Sequence, residues 1–421
     1  MEQLSWVLAF GAIITAFVVS GNLLTELGSA YITEGGTLAE KIHPASYLMI
    51  ISGTLRFGIA CAGRAPAWRA FARHPPLIIY VGGIIFCITY CLVFSGTGGI
   101  IALLDTYLPA GCAAFSLSAT TRKQREWLGV VIILLGTANA AIAILEAALQ
   151  ANFIALGPDA ADAALEFRPT ALYDHPLTGA AATMLGLLLT ARHGWPSAIM
   201  LPCQAVLLVG LMCFGERAPL AIGLGVLLCA AIVNAGQRII HRRRCSRRIA
   251  VLVWTASAAC LVIGLVVVEG LSERLAAHSY WDDSAQVRLS QFRILAWLTP
   301  AQLMFGCNRD DLIALLEPLR LAYRVGVIEN FWLVMMTSLG LLCFPIFVMS
   351  LWQLLRWLWR TGDRSGRLMV IILIATASTS NSLGRKSTLL TMLVACVVAT
   401  AVGSRVGLKG NVIVSGRRAP A

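Results

Sequence analysis

A carboxylate, a histidine and several arginines stand where long apolar runs of this chain begin or end. Glu329 and Asn330 open the run VGVIENFWLVMMTSLG. A carboxylate at the mouth of a helix bundle can orient an acceptor hydroxyl or take its proton. Helix capping is an equally open reading of this pair, because negative charge is favoured at a helix start. Arg168 stands in EFRPTALYDHPLTGA with Tyr173 and His175 behind it, Arg217 stands in FGERAPL, and Arg288 and Arg293 lie in SAQVRLSQFRILAWL. A guanidinium offers a planar fork to phosphate oxygens. Arg168, Arg217 and Arg288 are therefore candidates for holding a phosphate group, with Asn330, Tyr173 and Arg293 as supporting residues. The competing readings are ion pairs of Arg168 with Glu166 or Asp174 and of Arg217 with Glu216. His175 is either a base or sugar ligand, or a structural residue before Pro176.

The elements that must position these groups are membrane helices. Of 421 residues, 58% are hydrophobic and 13% charged, against about a quarter charged in soluble domains. That excludes an ordinary water-soluble enzyme. At about 20 apolar residues per crossing, runs near 5–24, 46–62, 76–95, 99–119, 127–148, 176–191, 196–215, 218–235, 249–268, 330–355, 368–384 and 388–404 predict an all-α, polytopic bundle of about twelve transmembrane helices. The whole chain, 1–421, reads as one integral membrane domain. Asp105 and Pro109 interrupt the run at 99–119, which is expected to be broken or re-entrant. Arg56 and Asp105, costly within runs, are read as structural charges paired inside the bundle.

A long loop, 269–329, separates the ninth and tenth runs, and a basic tail covers 404–421. The loop predicts a short amphipathic helix over 284–298, with Pro300 following its end, and a second from Asp310 or Asp311 to about Pro318. The twelve cysteines fall almost entirely inside apolar runs with no C-x-x-C pair. They read as small buried hydrophobes, not as a zinc site or a disulfide framework. The first run is expected to be retained, since Met1-Glu2-Gln3 lacks the positive charge of a signal peptide.

The net charge of +12 would suggest nucleic acid if it were clustered on a soluble face, but it sits in short loops, so no nucleic-acid partner is expected. Arg64, Arg69 and Arg73, then Arg122, Lys123 and Arg125, the run from Arg238 to Arg248, and Arg356 to Arg367 fall in alternate connections. The bias of Lys and Arg toward the cytoplasm places these inside, with both termini, and places most acids and the long loop outside. Arg385 and Lys386 are counted with the short external connections.

In the order of these segments the chain resembles the O-antigen ligase and polysaccharide polymerase superfamily of bacterial inner-membrane glycosyltransferases. An Arg-containing segment precedes a span (Arg168 to Pro176), and a Gly-Glu-Arg turn joins two spans (Gly215 to Arg217). The large loop then opens with Arg288 and Phe292, continues to Gly306, and ends in an acid-Asn-apolar motif feeding a span that ends near Gly340. The similarity covers about residues 125–400. Glu329 stands where ligases of the family carry His, and Gly306-Cys307-Asn308 replaces their Gly-x-Gly. The Glu looks more like polymerases that build exopolysaccharide, capsule or O-antigen.

The resemblance implies a GT-C-like fold with a periplasmic loop of short amphipathic helices and a metal-independent, cofactor-free transfer at the periplasmic face of the inner membrane. The donor would be a glycan on polyprenyl (undecaprenyl) pyrophosphate and the acceptor a second lipid-linked glycan. Membrane lipid and a chain-length regulator are the further partners it implies. Glu329 and His175 would be the catalytic residues, and Arg168, Arg217 and Arg288 the pyrophosphate ligands. A ligase moving finished glycan to a lipid core, and a flippase or transporter without covalent chemistry, are the alternatives. Cysteine labelling is expected to find Arg243 inside and Asp283 outside when each is replaced in turn; external labelling at position 243 overturns this orientation.

Overall fold

A computed structural model describes residues 1–29, 31, 36–62, 74–94, 100–154, 167–190, 195–215, 289–323, 328–378 and 380–401. The described residues are helical, with no strand among them. In sequence order the helices are α1 (Glu2–Val18), α2 (Gly21–Glu26), α3 (Pro44–Ala62), α4 (Pro75–Phe94), α5 (Ile100–Ser118), α6 (Arg122–Leu149), α7 (Pro176–Thr190) and α8 (Ser197–Cys213). There follow α9 (Ile294–Trp297), α10 (Pro300–Phe305), α11 (Arg309–Tyr323), α12 (Phe331–Thr361), α13 (Arg364–Ser378) and α14 (Leu389–Thr400). Five of these, α3, α4, α5, α6 and α12, are long and apolar enough to cross a membrane, while α1, α7, α8 and α14 are apolar but shorter. The expected spans near 218–235 and 249–268, the basic tail, and both Arg217 and Arg288 lie outside the described residues.

The run at 99–119 is continuous, contrary to the break expected there. Pro109 has no N–H to give to the carbonyl four residues earlier. The helix accommodates it by widening into a π turn over Leu103–Tyr107, where the Leu108 N–H donates to the Leu103 carbonyl. The freed carbonyl of Asp105 accepts instead from the Ser46 hydroxyl at 3.1 Å. Bulges of this kind recur at functional sites, and this one carries a fully buried acid.

Contacts at the helix ends sort them into two groups. At one end, Arg56 of α3 pairs with Glu2 of α1 at 2.8 Å, so Arg56 is balanced at the bundle end and not by Asp105. Ser52 in the middle of α3 donates to Ser116 near the end of α5 at 2.9 Å. Arg125 at the start of α6 donates to the carbonyls of Thr120 and of Ala401, just past α14. At the opposite end lie the π turn, the end of α6, and the segments beginning α7 and α12. Among the described residues the long helices run between these two ends.

The loop between the ninth and tenth runs is more finely divided than expected. Residues 289–297 are helical, with a 3₁₀ turn at Gln291–Arg293 leading into α9, and Pro300, just past the end of that helix as expected, also starts α10 behind a Thr299 cap; residues 284–288 lie outside the described residues. Proline suits a first helical position, where its missing N–H has no helical partner to lose. The next helix is capped by Asn308, whose Oδ1 accepts from the Asp311 N–H at 2.7 Å, and α11 runs through Pro318 to Tyr323. Ile294, Ile328 and Leu333 form a small core that seats this region on the start of α12.

The docking depends on two glycines. Gly340 interrupts α12 with φ 66° and ψ 170°, and Gly306 ends α10 with φ 94° and ψ 165°. Both lie in a region open almost only to glycine. A Cβ on Gly340 would collide with the backbone of Met304, Phe305 and Gly306, and one on Gly306 with the backbone of Ser338 and Gly340. The Cys307 N–H closes the joint by donating to the Thr337 carbonyl at 2.7 Å. Gly340→Ala should cost about 1–3 kcal/mol through backbone strain and undock α10. Hydrogen exchange at residues 304–308 is expected to rise sharply with the rest of the bundle protected; unchanged protection there would show that the joint tolerates a side chain.

Candidate functional site

Two buried carboxylates organise the end of the bundle where the candidate residues gather. Among the described residues Asp105 and Glu146 are the fully buried acids, and a buried charge is tolerated only when donors surround it. Asp105 accepts from the Tyr31 hydroxyl and from the His43 N–H, each at 2.8 Å. Glu146, in the last turn of α6, accepts from the backbone N–H groups of Phe153, Thr170 and Ala171 at 2.9, 2.9 and 2.8 Å. Ala171 carries a positive φ of 50°. Glu146 thus fixes the segment 168–175 from below.

His175 caps α7. Its Nδ1 accepts from the Leu177 N–H at 3.1 Å, a bond favoured by Pro176, which leaves the next N–H as the first to be satisfied. The proton of the neutral ring is therefore on Nε2. Burial, then Arg385, then Arg168 lower its pKa to about 4. Asp174 and His175 both keep solvent-exposed surface. A neutral imidazole whose acceptor nitrogen is occupied and whose Nε2 carries a proton is suited to donating to an anion, and not to removing a proton.

Asp174 is engaged on the other side. Its Oδ1 accepts from the Asn22 N–H at 3.0 Å. Burial raises its pKa, opposed by the Asn22 hydrogen bond and by His43 and Lys386. Lys386 lies 3.4 Å above the ring of Tyr31, a cation–π contact, and burial lowers its pKa against the pull of Asp105 and Asp174. Burial, then Asp105 and Asp174, push the Tyr31 phenol well above its ordinary value. Tyr173 turns into the core, 3% exposed, against the ring of Phe214 at 6.3 Å. The acceptor-supporting role expected for it does not fit that position.

The start of α12 is built by Asn330 and Gln291. Asn330 Oδ1 accepts from the Leu333 N–H at 3.2 Å, so Asn330 is the side-chain cap. The buried Gln291 accepts through Oε1 from the N–H groups of Glu329 and Asn330 at 2.7 and 3.2 Å. Glu329 is half-buried beside this cap. Arg293 and Arg168 are exposed, and Arg293 lies two residues from Gln291. The structure thus assembles Gln291, Arg293, Glu329 and Asn330 on one side, and Arg168 and His175 on another.

The connection between α13 and α14 ties the start of α12 to the π turn. Asn330 Nδ2 donates to the Ser378 carbonyl at 3.0 Å, and Asn381 Nδ2 donates to the Ile328 carbonyl at 3.3 Å. Farther along, Tyr107 donates to the Leu383 carbonyl at 2.8 Å and Thr106 to the Arg385 carbonyl at 3.0 Å, while the Ser387 N–H donates to Thr106 Oγ1 at 2.8 Å. Sequence reasoning counted Arg385 and Lys386 only toward orientation. The available signal was two adjacent cations in a short Ser- and Gly-containing connection on the face where cations are otherwise sparse. Tyr31, His43, Glu146 and Gln291 carried no local signal.

Among the described residues no group of three or more His, Cys, Asp or Glu is placed to hold a metal ion. Compared with known proteins, the chain matches no family model and no curated sequence. Glu146→Gln replaces one acceptor oxygen with an NH₂ that faces a backbone N–H. Leaving buried amides unpaired costs about 1–3 kcal/mol. The substitution should raise proteolysis and hydrogen exchange at residues 168–175 ahead of global unfolding; coincident loss of both would make Glu146 a general stability residue and not the anchor of that segment.

Proposed function

We propose that this chain is a glycosyltransferase that polymerises polyprenyl-pyrophosphate-linked repeat units into cell-surface polysaccharide at the periplasmic face of a bacterial inner membrane. The reading is carried by one observation: Arg168, His175, Arg385 and the half-buried Glu329 all lie toward one end of a bundle of apolar helices. The twelve-span topology, with both termini cytoplasmic and this end periplasmic, belongs to the same proposal and rests on the distribution of Lys and Arg.

In this reading an acceptor sugar hydroxyl attacks the anomeric carbon of the donor glycan. The bond from that carbon to the pyrophosphate oxygen breaks, and its electron pair leaves with the lipid pyrophosphate. Arg168, with Arg217 and Arg288, stabilises the charge growing on the phosphate oxygens. Glu329 orients the hydroxyl and receives its proton, while Asn330 and Gln291 hold the backbone that carries it. His175 donates a hydrogen bond and does not act as the base. A ligase would share every one of these roles and differ in its acceptor. A carrier without chemistry would favour charge near the midplane, whereas the fully buried acids among the described residues sit toward one end.

Because Asn330 supplies the side-chain cap, Glu329→Gln separates chemistry from folding. The variant should reach the membrane in normal amounts, with transfer reduced about 10²–10⁴-fold, the usual loss for a general base. Single lipid-linked repeats should accumulate on the outer face. Polymer of normal yield and length would remove Glu329 from the chemistry, and accumulation on the cytoplasmic face would support the carrier instead.

A further inference from the structure

Two of the long helices mark where the hydrocarbon layer of a membrane would end. α4 has 20 residues, and at about 1.5 Å per residue it covers roughly 30 Å, the thickness of that layer. Its exposed apolar row, which includes Ile79, Phe86 and Val93, runs the length of the helix and stops at Phe94. α12 is longer, with 31 residues. Residues 331–340 show no exposed side chain, whereas Leu341, Leu342, Met349 and Trp352 beyond them are exposed. The lipid-facing part of α12 is therefore 341–361, again roughly 30 Å at the same rise. The two helices run antiparallel. Gly83 lies against Ser350, and from that contact Phe94 and Gly340 are each roughly 16 Å away in the same direction. Both helices thus place the boundary at one level.

α10 lies on that boundary. The Phe305 ring stacks on Phe94 with centroids 5.4 Å and planes 18° apart, and the Phe305 carbonyl accepts from the Tyr90 hydroxyl at 3.3 Å. The backbone of Met304 and Phe305 fills the space that a Cβ on Gly340 would need. Along α4 the rings of Phe86, Tyr90 and Phe94 follow one another at 6.4 and 4.7 Å. Phe305 therefore extends an aromatic row that begins well inside the span. A tyrosine with its ring in such a row and its hydroxyl engaged suits the edge of the hydrocarbon. Met304 remains 40% exposed and Phe305 41%, although both belong to a six-residue helix seated on protein. The polar groups of α10 are used elsewhere, since Gln302 closes the Thr299 cap and donates to Asp311 at 3.4 Å.

We propose that α10 is a lipid-interface anchor, with Met304 and Phe305 seated among the acyl chains of the leaflet at this end of the bundle. The surface they offer is continuous with the lipid faces of α4 and α12, and what covers those faces covers it too. Lipid held there bears on the Gly306–Gly340 joint, through which the long loop is fastened to α12. The inference requires only that α4 and α12 cross a membrane, and it stands whether or not the chain is a polymerase.

The test uses the full chain in nanodiscs of phosphatidylcholine, with trifluoromethyl-phenylalanine placed at position 305, at position 86 within the span, or at position 317, where α11 carries an exposed acid. Fluorine resonances are recorded with a nitroxide on the lipid acyl chain and, separately, with a water-soluble gadolinium chelate. The nitroxide should broaden the signals at 305 and 86 beyond detection while the chelate leaves them sharp, and the chelate should broaden the signal at 317. Broadening at 305 by the chelate alone puts α10 in water and overturns the proposal. A signal at 305 that neither agent reaches, in discs holding two copies of the chain, gives the surface to a second protomer and overturns it as well.

A pair of substitutions separates lipid from the ring stack. Phe305→Leu keeps an apolar side chain and gives up the stack, so hydrogen exchange at residues 304–308 should remain as in the wild type. Phe305→Ser should raise it. An equal rise in both variants would show that Phe94, and not lipid, holds α10 in place.

Discussion

The arrangement at this end of the bundle depends on the charge of Asp105, which is fully buried inside a helix. A carboxylate removed from water is stable only if donors replace the water. The π turn that Pro109 enforces supplies the geometry for that exchange. It frees a carbonyl for Ser46 and leaves both carboxylate oxygens to accept from Tyr31 and His43. The two residues that follow, Thr106 and Tyr107, project polar groups that fasten the connection carrying Arg385 and Lys386. One local departure from α-helical geometry therefore binds three segments distant in sequence. Straightening it would orphan polar groups on all of them.

Glu146 plays the corresponding part for the segment 168–175. It sits near a helix C-terminus, where the dipole disfavours negative charge, and three backbone N–H donors offset that cost. The segment is set so that adjacent residues divide their work, with Asp174 held by the start of α2 and His175 exposed to the arginines. The same histidine-proline device recurs at His43, whose Nδ1 accepts from the Ala45 N–H while Nε2–H donates to the Val19 carbonyl. In His43 both ring nitrogens are consumed by the fold. In His175 one nitrogen caps the helix.

Length, hydropathy and charge were enough to identify an all-helical membrane chain, because burial in lipid imposes a requirement that each apolar run meets locally. The same information located most of the described helices and the end where Arg168, His175, Glu329 and Asn330 lie. It also marked Gly306 and Gly340, although only as positions in a resemblance. What that pair does, letting two backbones interlock at φ values few other residues adopt, involves residues more than thirty positions apart and leaves no trace in either neighbourhood.

The choice of partners was decided by tertiary structure. Sequence could present Glu329 as a cap or as a base, and packing gave the cap to Asn330 by setting its amide against Leu333. Sequence marked Tyr173 as a hydroxyl near the site, and packing turned it into the core. It counted Arg385 and Lys386 as loop charges, and the contacts of Thr106, Tyr107 and Tyr31 hold the backbone of Arg385 against the π turn and Lys386 over the Tyr31 ring. Hydropathy is a property of neighbouring residues and can be summed along a chain. A hydrogen bond or ion pair depends on where the remainder of the chain places its donor, so the bundle and its polar end were legible, but the assignment of each polar atom required the fold.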